Sequence, residues 1–418
     1  MSRIAIVGAG IAGLASAWLL ARRHRVTLFE SAPRLGGHTN TVDATVEGVT
    51  HPVDTGFLVY NDRTYPHLVR LFERLGVASE PSEMSFSVRI GPGTLEWAGT
   101  SLASVFAQPS NAVNPRFLRM LKDLVRFNRE ATRLARSGQR VAGTLGDFLD
   151  DGGYGAELRG LYLLPMAACI WSTPSRQVNR FPLQTFVDFC HNHGLLALTD
   201  RPQWRTVQGG GREYVRALAA KLDDVRLATP VRRIFRDAYG VEIATDGGRE
   251  RFDEVVLATH TDTSLAMLDR PTSAERAALG AIPYLPNRAV LHTDASLLPR
   301  RRRAWAAWNF HSGEAREHDG PVSLSYLLNR LQPLPFRAPV MVTLNPVDEP
   351  DPRTVLDEFT YHHPAFREGS DEAQREVAMM QGMHRTWYAG AWTRYGFHED
   401  GLLSAVNVAR GLGVEAPW

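Results

Sequence analysis

The sequence predicts an α/β fold, a nucleotide-binding domain on a parallel sheet with an α+β domain inserted into it. Three observations predict this. Residues 4–7, IAIV, form a β-branched run directly before a glycine-rich turn. The next stretch, LASAWLLARR, has helical spacing. RVTLFE (25–30) then reads as a second strand closing on an acid. At 418 residues, 44% hydrophobic and 22% charged, the chain is long enough for two or three such units around a buried core.

Each part of the first unit has a physical task. Gly8 allows the tight turn. Gly10 lets backbone N–H groups approach a pyrophosphate, and Gly13 lets the helix pack close to the sheet. Ala9, Ile11 and Ala12 complete the turn at the helix N-terminus, whose partial positive charge faces phosphate. Glu30 suits an adenosine ribose and repels a 2′-phosphate. This Rossmann-like unit by itself does not separate NAD from FAD.

The stretch SAPRLGGHTNT (31–41) separates them. NAD needs no second glycine pair. An extended FAD does, because its ribityl chain and ring run past the pyrophosphate, and Gly36-Gly37 permits close backbone approach.

On these residues the chain resembles the flavin amine oxidase and phytoene desaturase-like superfamily. That pattern is Arg-x-Gly-Gly-Arg-x-x-Thr, matched by Arg34, Gly36, Gly37 and Thr41, with His38 where the second Arg is usual. The substitution either weakens pyrophosphate neutralisation or leaves a single hydrogen bond. The resemblance implies that Glu30, Ser31, Arg34, Leu35, Gly36, Gly37, His38 and Thr39 face FAD. It implies the same for Thr55, Gly56, Phe57 and Leu58 in VDTGFLVY, and for Val231 and Ala258 on later strands. In the closing segment WYAGAWTRYGFHEDGLLSAV, Gly390 and Ala391 end a strand. Gly401, Leu402 and Leu403 start a helix whose N-terminus favours the reduced flavin. Ala391 stands where the family usually has an acid. Residues 380–418 contain no cysteine, so FAD is expected to be held non-covalently.

The motifs divide the chain. Residues 1–75, 205–285 and 380–418 read as the FAD domain; 76–204 and 286–379 read as the substrate domain covering it. PRFLRMLKDLVRFNREATRLARSG (115–138) predicts a long helix, and PVMVTLN (339–345) a strand.

The sequence says less about the chemistry. Amine oxidases of the superfamily carry a lysine beside the flavin. Lysine occurs here only at 122 and 221, so 45 of the 47 basic residues are arginine. The matching stretch, YLPNRAVLHTD, offers Asn287 and Arg288, which become the catalytic candidates; Arg288 suits a carboxylate or a flavin oxygen better than a base. Aromatics such as Trp171, Phe181, Trp204, Trp308 and Tyr326 suggest an apolar tunnel or ordinary core. The histidine pairs 191/193 and 362/363 lack ligand-spaced companions, so no metal is expected. His260 at a strand end, and His398 and Glu399 before Gly401, are further polar candidates. Arg300–Arg303 beside Trp305 suits anionic head groups or a solvated loop.

NRAVLHTD, AWAAWNF, SYLLNRLQ, VTLNP and GFHEDGL together resemble a bacterial subgroup of FAD/NAD-binding, amine-oxidase-like proteins associated with cyclopropane-fatty-acid-synthase-like methyltransferases. That resemblance implies a lipid substrate and a lipid methyltransferase partner. The expected activity is FAD-dependent dehydrogenation or desaturation of a fatty-acyl or isoprenoid-like chain. The alternatives are an amine oxidase, a redox-neutral isomerase and a flavoprotein without turnover. A net charge of +2 gives no general field for nucleic acid. Two cysteines and a start without a signal-peptide design lead to a cytoplasmic expectation, with peripheral membrane contact left open.

Overall fold

Strand Arg3–Val7 is buried on both sides, which explains its unbroken apolar run. It is the centre of a five-stranded parallel sheet ordered Asp224–Arg226, Arg25–Phe29, Arg3–Val7, Glu254–Leu257 and Thr386–Tyr388. These strands come from three remote parts of the chain. Helix Ile11–Leu20 packs against the closing helix His398–Gly411. A Cβ on Gly13 would lie 1.8 Å from the Gly8 carbonyl oxygen, so only glycine permits this approach. The structure is a computed structural model and describes residues 1–91, 93–139, 141–171, 178–197, 201–312 and 322–418.

A seven-stranded sheet faces the parallel one across a cavity. Its order is Val355–Pro364, Tyr284–His292, Met341–Leu344, Ser323–Leu327, Trp308–Ser312, Phe86–Ile90 and Leu95–Ala98. Only the pair Trp308–Ser312 with Phe86–Ile90 is parallel. Helices Pro115–Ser137, Leu164–Trp171 and Leu183–Asn192 flank this sheet. Phe117, Phe127 and Phe186 fill the space between them.

The long helix starts where its sequence indicates. The Asn114 side chain accepts from the N–H groups of Arg116 and Phe117, and Gly138 ends it with a left-handed φ of +66°. The closing helix begins at His398, three residues before Gly401. Asp400 accepts from the Phe397 N–H and so moves the cap upstream.

One buried ion pair ties three elements together. Arg236, on strand Val231–Asp237, donates two hydrogen bonds to Glu275 on helix Ser273–Gly280, at 2.5 and 2.9 Å. Tyr388, on the last strand of the parallel sheet, donates to the same carboxylate at 2.7 Å. Burial by itself would raise the Glu275 pKa. The bonds from Arg236, Tyr388 and the Thr272 N–H outweigh it and hold the value at about 2. A carboxylate depressed below its unfolded value stabilises the fold above the unfolded pKa, and that share is lost as pH falls through the folded pKa. Glu275→Gln is therefore expected to cost about 3–5 kcal/mol at neutral pH, since it leaves Arg236 buried and unpaired. The gap to wild type in chemical-denaturation curves should narrow as pH falls from 4.5 toward 2. A gap that stays constant over that range would contradict the account.

Candidate functional site

The two glycine turns are clamped through the backbone of a single residue, Ala9. The Ala9 N–H donates to Glu30 Oε2 at 2.7 Å, and the Ala9 carbonyl accepts from the Gly36 N–H at 2.8 Å. Glu30 Oε1 accepts from the Ala32 N–H at 2.9 Å. Gly8 and Gly36 hold φ of +99° and +108°, which side chains rarely adopt. A Cβ on Gly37 would reach the Gly10 Cα at 3.1 Å, so the turns touch backbone to backbone.

A cavity of about 1140 Å³ opens from this clamp and runs between the two large sheets. Gly8, Ala9, Gly10, Ile11, Ala12, Glu30, Ser31, Gly36, Gly37 and His38 line it, as do Gly56, Phe57, Leu58, Val231, Ala258, Gly390 and Ala391. Gly10 has open space where a Cβ would stand. His38 Nε2 is buried with no hydrogen-bond partner among the described residues. Exposed backbone at a helix N-terminus and an unused imidazole nitrogen fit a phosphate-bearing dinucleotide cofactor.

Eight expected contacts stand behind the wall instead of lining it. Gly13 is packed under the glycine turn. Arg34 folds back on its own loop, donating to the carbonyls of Gly37 at 2.9 Å and Thr39 at 3.2 Å. Leu35 packs into the apolar core. Thr39 Oγ1 is used by Tyr214 and by His398 Nε2, the latter at 2.9 Å. Thr55 donates to the Asn40 carbonyl at 2.9 Å and shares a hydrogen bond with Tyr361. Gly401, Leu402 and Leu403 sit inside the closing helix, where a Cβ on Gly401 would press Ile11 at 2.9 Å. These residues shape the cradle because their polar groups and volume are already committed.

The catalytic candidates on strand Tyr284–His292 are corrected by its pleat. Arg288 points outward and forms ion pairs with Glu349 and Glu358 at 2.7 and 2.8 Å. Asn287, its neighbour, points inward but stands one layer behind the cavity. Its Nδ2 donates to the Leu285 carbonyl and to His363 Nδ1, at 3.2 and 3.3 Å. Asn345 Nδ2 donates to Asn287 Oδ1 at 2.8 Å. A carbonyl can only accept, so the amide orientation is determined. His363 Nδ1 is then an acceptor, and the ring proton sits on Nε2. Asn287 is a positioning residue for His363, which lines the cavity.

Sequence reading missed the convergence of histidines, because four distant segments supply them. His38 lies 5.3 Å from His363 and 6.4 Å from His260, ring centre to ring centre. His260 stacks on Tyr284 at 4.0 Å and His398 on Phe57 at 3.7 Å. Burial, reinforced for His38 by its histidine neighbours, pushes that ring well below the ordinary imidazole value. Burial takes His260 and His363 to about 4 and His398 to about 3. All four are neutral at pH 7. No group of metal-ligating residues forms among the described residues.

Beyond the histidines the walls are mainly apolar, with Arg201, Gln203 and Arg232 among the polar exceptions. Tyr162, Met166, Ile170, Trp171 and Phe189 come from the flanking helical unit, and Trp97, Trp308 and Tyr326 from the seven-stranded sheet. Trp171 lies 4.8 Å from Phe189, which stacks on Phe397 at 4.9 Å. Glu30 is the one carboxylate lining the cavity among the described residues. Glu399 turns away to accept from the N–H groups of His67 and Leu68, at 2.9 and 3.0 Å, and burial raises it to about 7. The Arg300–Arg303 run is partly structural, since Arg301 pairs with the fully buried Glu96 at 3.0 Å.

The chain matches the family of flavin containing amine oxidoreductases over residues 11–412. A Mycobacterium tuberculosis (strain ATCC 25618 / H37Rv) protein bearing the name flavin-containing monoamine oxidase AofH is 27% identical over 347 residues, 77% of this chain and 70% of that one. A carotenoid phi-ring synthase of Streptomyces griseus is 30% identical over 285 residues, 61% of this chain and 52% of that protein. The crystal structure of a CLA-producing fatty acid isomerase from P. acnes shares the fold, with a TM-score of 0.68, 17% identity and 98% of each chain covered. With its clamped glycine turns opening on a deep cavity and a family match along nearly its whole length, the chain belongs to the flavin containing amine oxidoreductases and is a flavin-dependent oxidoreductase.

Proposed function

We propose that the chain holds FAD non-covalently and dehydrogenates or desaturates an apolar substrate, a fatty-acyl or other lipid chain. The character of the cavity beyond the histidines carries this reading. Its walls beyond the glycine turns are lined mainly by aromatic and aliphatic side chains, burial holds the imidazoles of His38, His260, His363 and His398 neutral at pH 7, and the one carboxylate lining it among the described residues, Glu30, is occupied at the glycine turn. A hydrocarbon chain gains by burial in such a space, whereas an ammonium group would enter without a counter-ion. Both cysteines, Cys169 and Cys190, are buried in flanking helices, which supports non-covalent attachment.

Bound flavin supplies the acceptor for a hydride. The protein supplies position and dryness. The aromatic walls align the chain and exclude water. His363, with its ring proton on Nε2, and His38 both line the cavity as neutral rings, so polar groups there meet hydrogen-bonding side chains without a charge being buried. Two hydrogens leave neighbouring carbons of the substrate, one as hydride and one as proton. O2 or another oxidant finally takes the two electrons. Oxidation of an amine is the second reading, favoured by the AofH relative. Association with a lipid methyltransferase fits the same substrate class.

Under anaerobic conditions, fatty acids, acyl esters or isoprenoids are expected to bleach the flavin absorbance and amines to leave it unchanged; the reverse pattern would establish the amine reading. Glu30→Ala should weaken FAD binding about 10- to 150-fold, because hydrogen bonds to a charged group contribute about 1.5–3 kcal/mol. Full flavin content in that variant would refute the role given to Glu30. Arg288→Ala should leave turnover within about twofold. Asn287→Ala, by freeing the His363 ring, should lower kcat by up to ~10²-fold with flavin content intact. Equal activity of the two variants would show that Asn287 positions nothing.

A further inference from the structure

We infer that the outer face of helix Pro115–Ser137 docks the protein on an anionic phospholipid bilayer. The helix carries seven basic residues and two acids, a charge of +5 within a chain whose total is +2. The acids are turned inward. Glu130 accepts from the Tyr154 hydroxyl at 2.5 Å, and Asp123 accepts from the Gly155 N–H at 3.1 Å. Arg126 lies over the Tyr154 ring. The other six cations, Arg116, Arg119, Lys122, Arg129, Arg133 and Arg136, are exposed. Arg116 and Arg119 share Glu157. Lys122, Arg129, Arg133 and Arg136 have no ion pair among the described residues. Spaced four, then three residues apart, Arg129, Arg133 and Arg136 repel one another on one stripe. An anionic surface removes that repulsion.

Two apolar tips stand on the same stripe of the helix and two more on separate turns. Val125 is 61% exposed and Leu118 42%, both on the cationic stripe. Val113, at 81%, ends the turn Pro109–Val113 that packs against this helix. Leu102, at 79%, belongs to the turn Leu102–Val105, which packs against the basic turn Arg302–Ala304. Single exposed apolar residues are ordinary, but apolar tips set among unpaired cations are the design of a segment lying in a lipid interface. No helix among the described residues is long and apolar enough to cross a membrane, so the contact is peripheral.

The face also borders the reaction chamber. Val125, Arg129, Arg133 and Leu196 line a groove along the helix, and Leu195, the neighbour of Leu196, lines the main cavity. A docked protein would hold that wall beside the bilayer. The inference does not depend on the substrate reading, because vesicle binding and flavin bleaching are separate measurements.

The test is co-sedimentation of the full flavin-loaded chain with two kinds of vesicle, phosphatidylglycerol mixed into phosphatidylcholine and phosphatidylcholine alone. Binding is expected to the first and not the second, and to weaken as salt rises. Each cation removed should lower partitioning about fivefold, so Arg129→Gln/Arg133→Gln/Arg136→Gln should lose about 100-fold. Leu118→Ser/Val125→Ser should bind more weakly with its salt dependence preserved. Equal binding to both vesicles, binding to neither, or an unchanged triple variant would overturn the inference. So would a concentration-dependent dimer, seen by light scattering, that the triple variant abolishes while vesicle binding stays absent.

Discussion

The architecture depends on how the backbone of one residue is held. Ala9 has its N–H taken by Glu30 and its carbonyl by Gly36, so the first and second glycine turns cannot separate without breaking both bonds. This contact sets where the first helix begins and where the loop toward His38 leaves the sheet. It also sets how closely backbone can approach a ligand in the groove. The remote strands, Glu254–Leu257 and Thr386–Tyr388, then add to the edge beside that clamp in parallel register. The Arg236–Glu275–Tyr388 cluster anchors the last of them from behind.

The local parts of this design are legible in the sequence. Strand, glycine turn, helix and acid follow within thirty residues, and the rules for each are steric. The long helix is equally plain, with Asn114 and Gly138 marking its ends. The site is less legible because its chemistry is assembled at long range. Nothing near His38 announces His260, His363 or His398. On a strand, adjacent side chains face opposite ways. Whether Asn287 or Arg288 faces inward therefore depends on pairing with Val355–Pro364, which the sequence does not display. The structural part of the Arg300–Arg303 run is hidden for a similar reason, since the buried Glu96 that pairs with Arg301 lies about 200 residues earlier.

Charge is divided sharply across the molecule. Inside, burial strips protons from the imidazoles of His38, His260, His363 and His398. Outside, arginines crowd one helix while its acids turn to the core. Both arrangements follow from where low dielectric makes a charge expensive.

The most direct measurement asks what the purified chain carries. The account predicts a yellow protein that releases FAD, stoichiometric with chain, into the supernatant on acid precipitation, leaving a colourless polypeptide. A protein that is colourless as isolated and takes up no added FAD would contradict the account at its base, and flavin retained on the precipitated chain would contradict the mode of attachment.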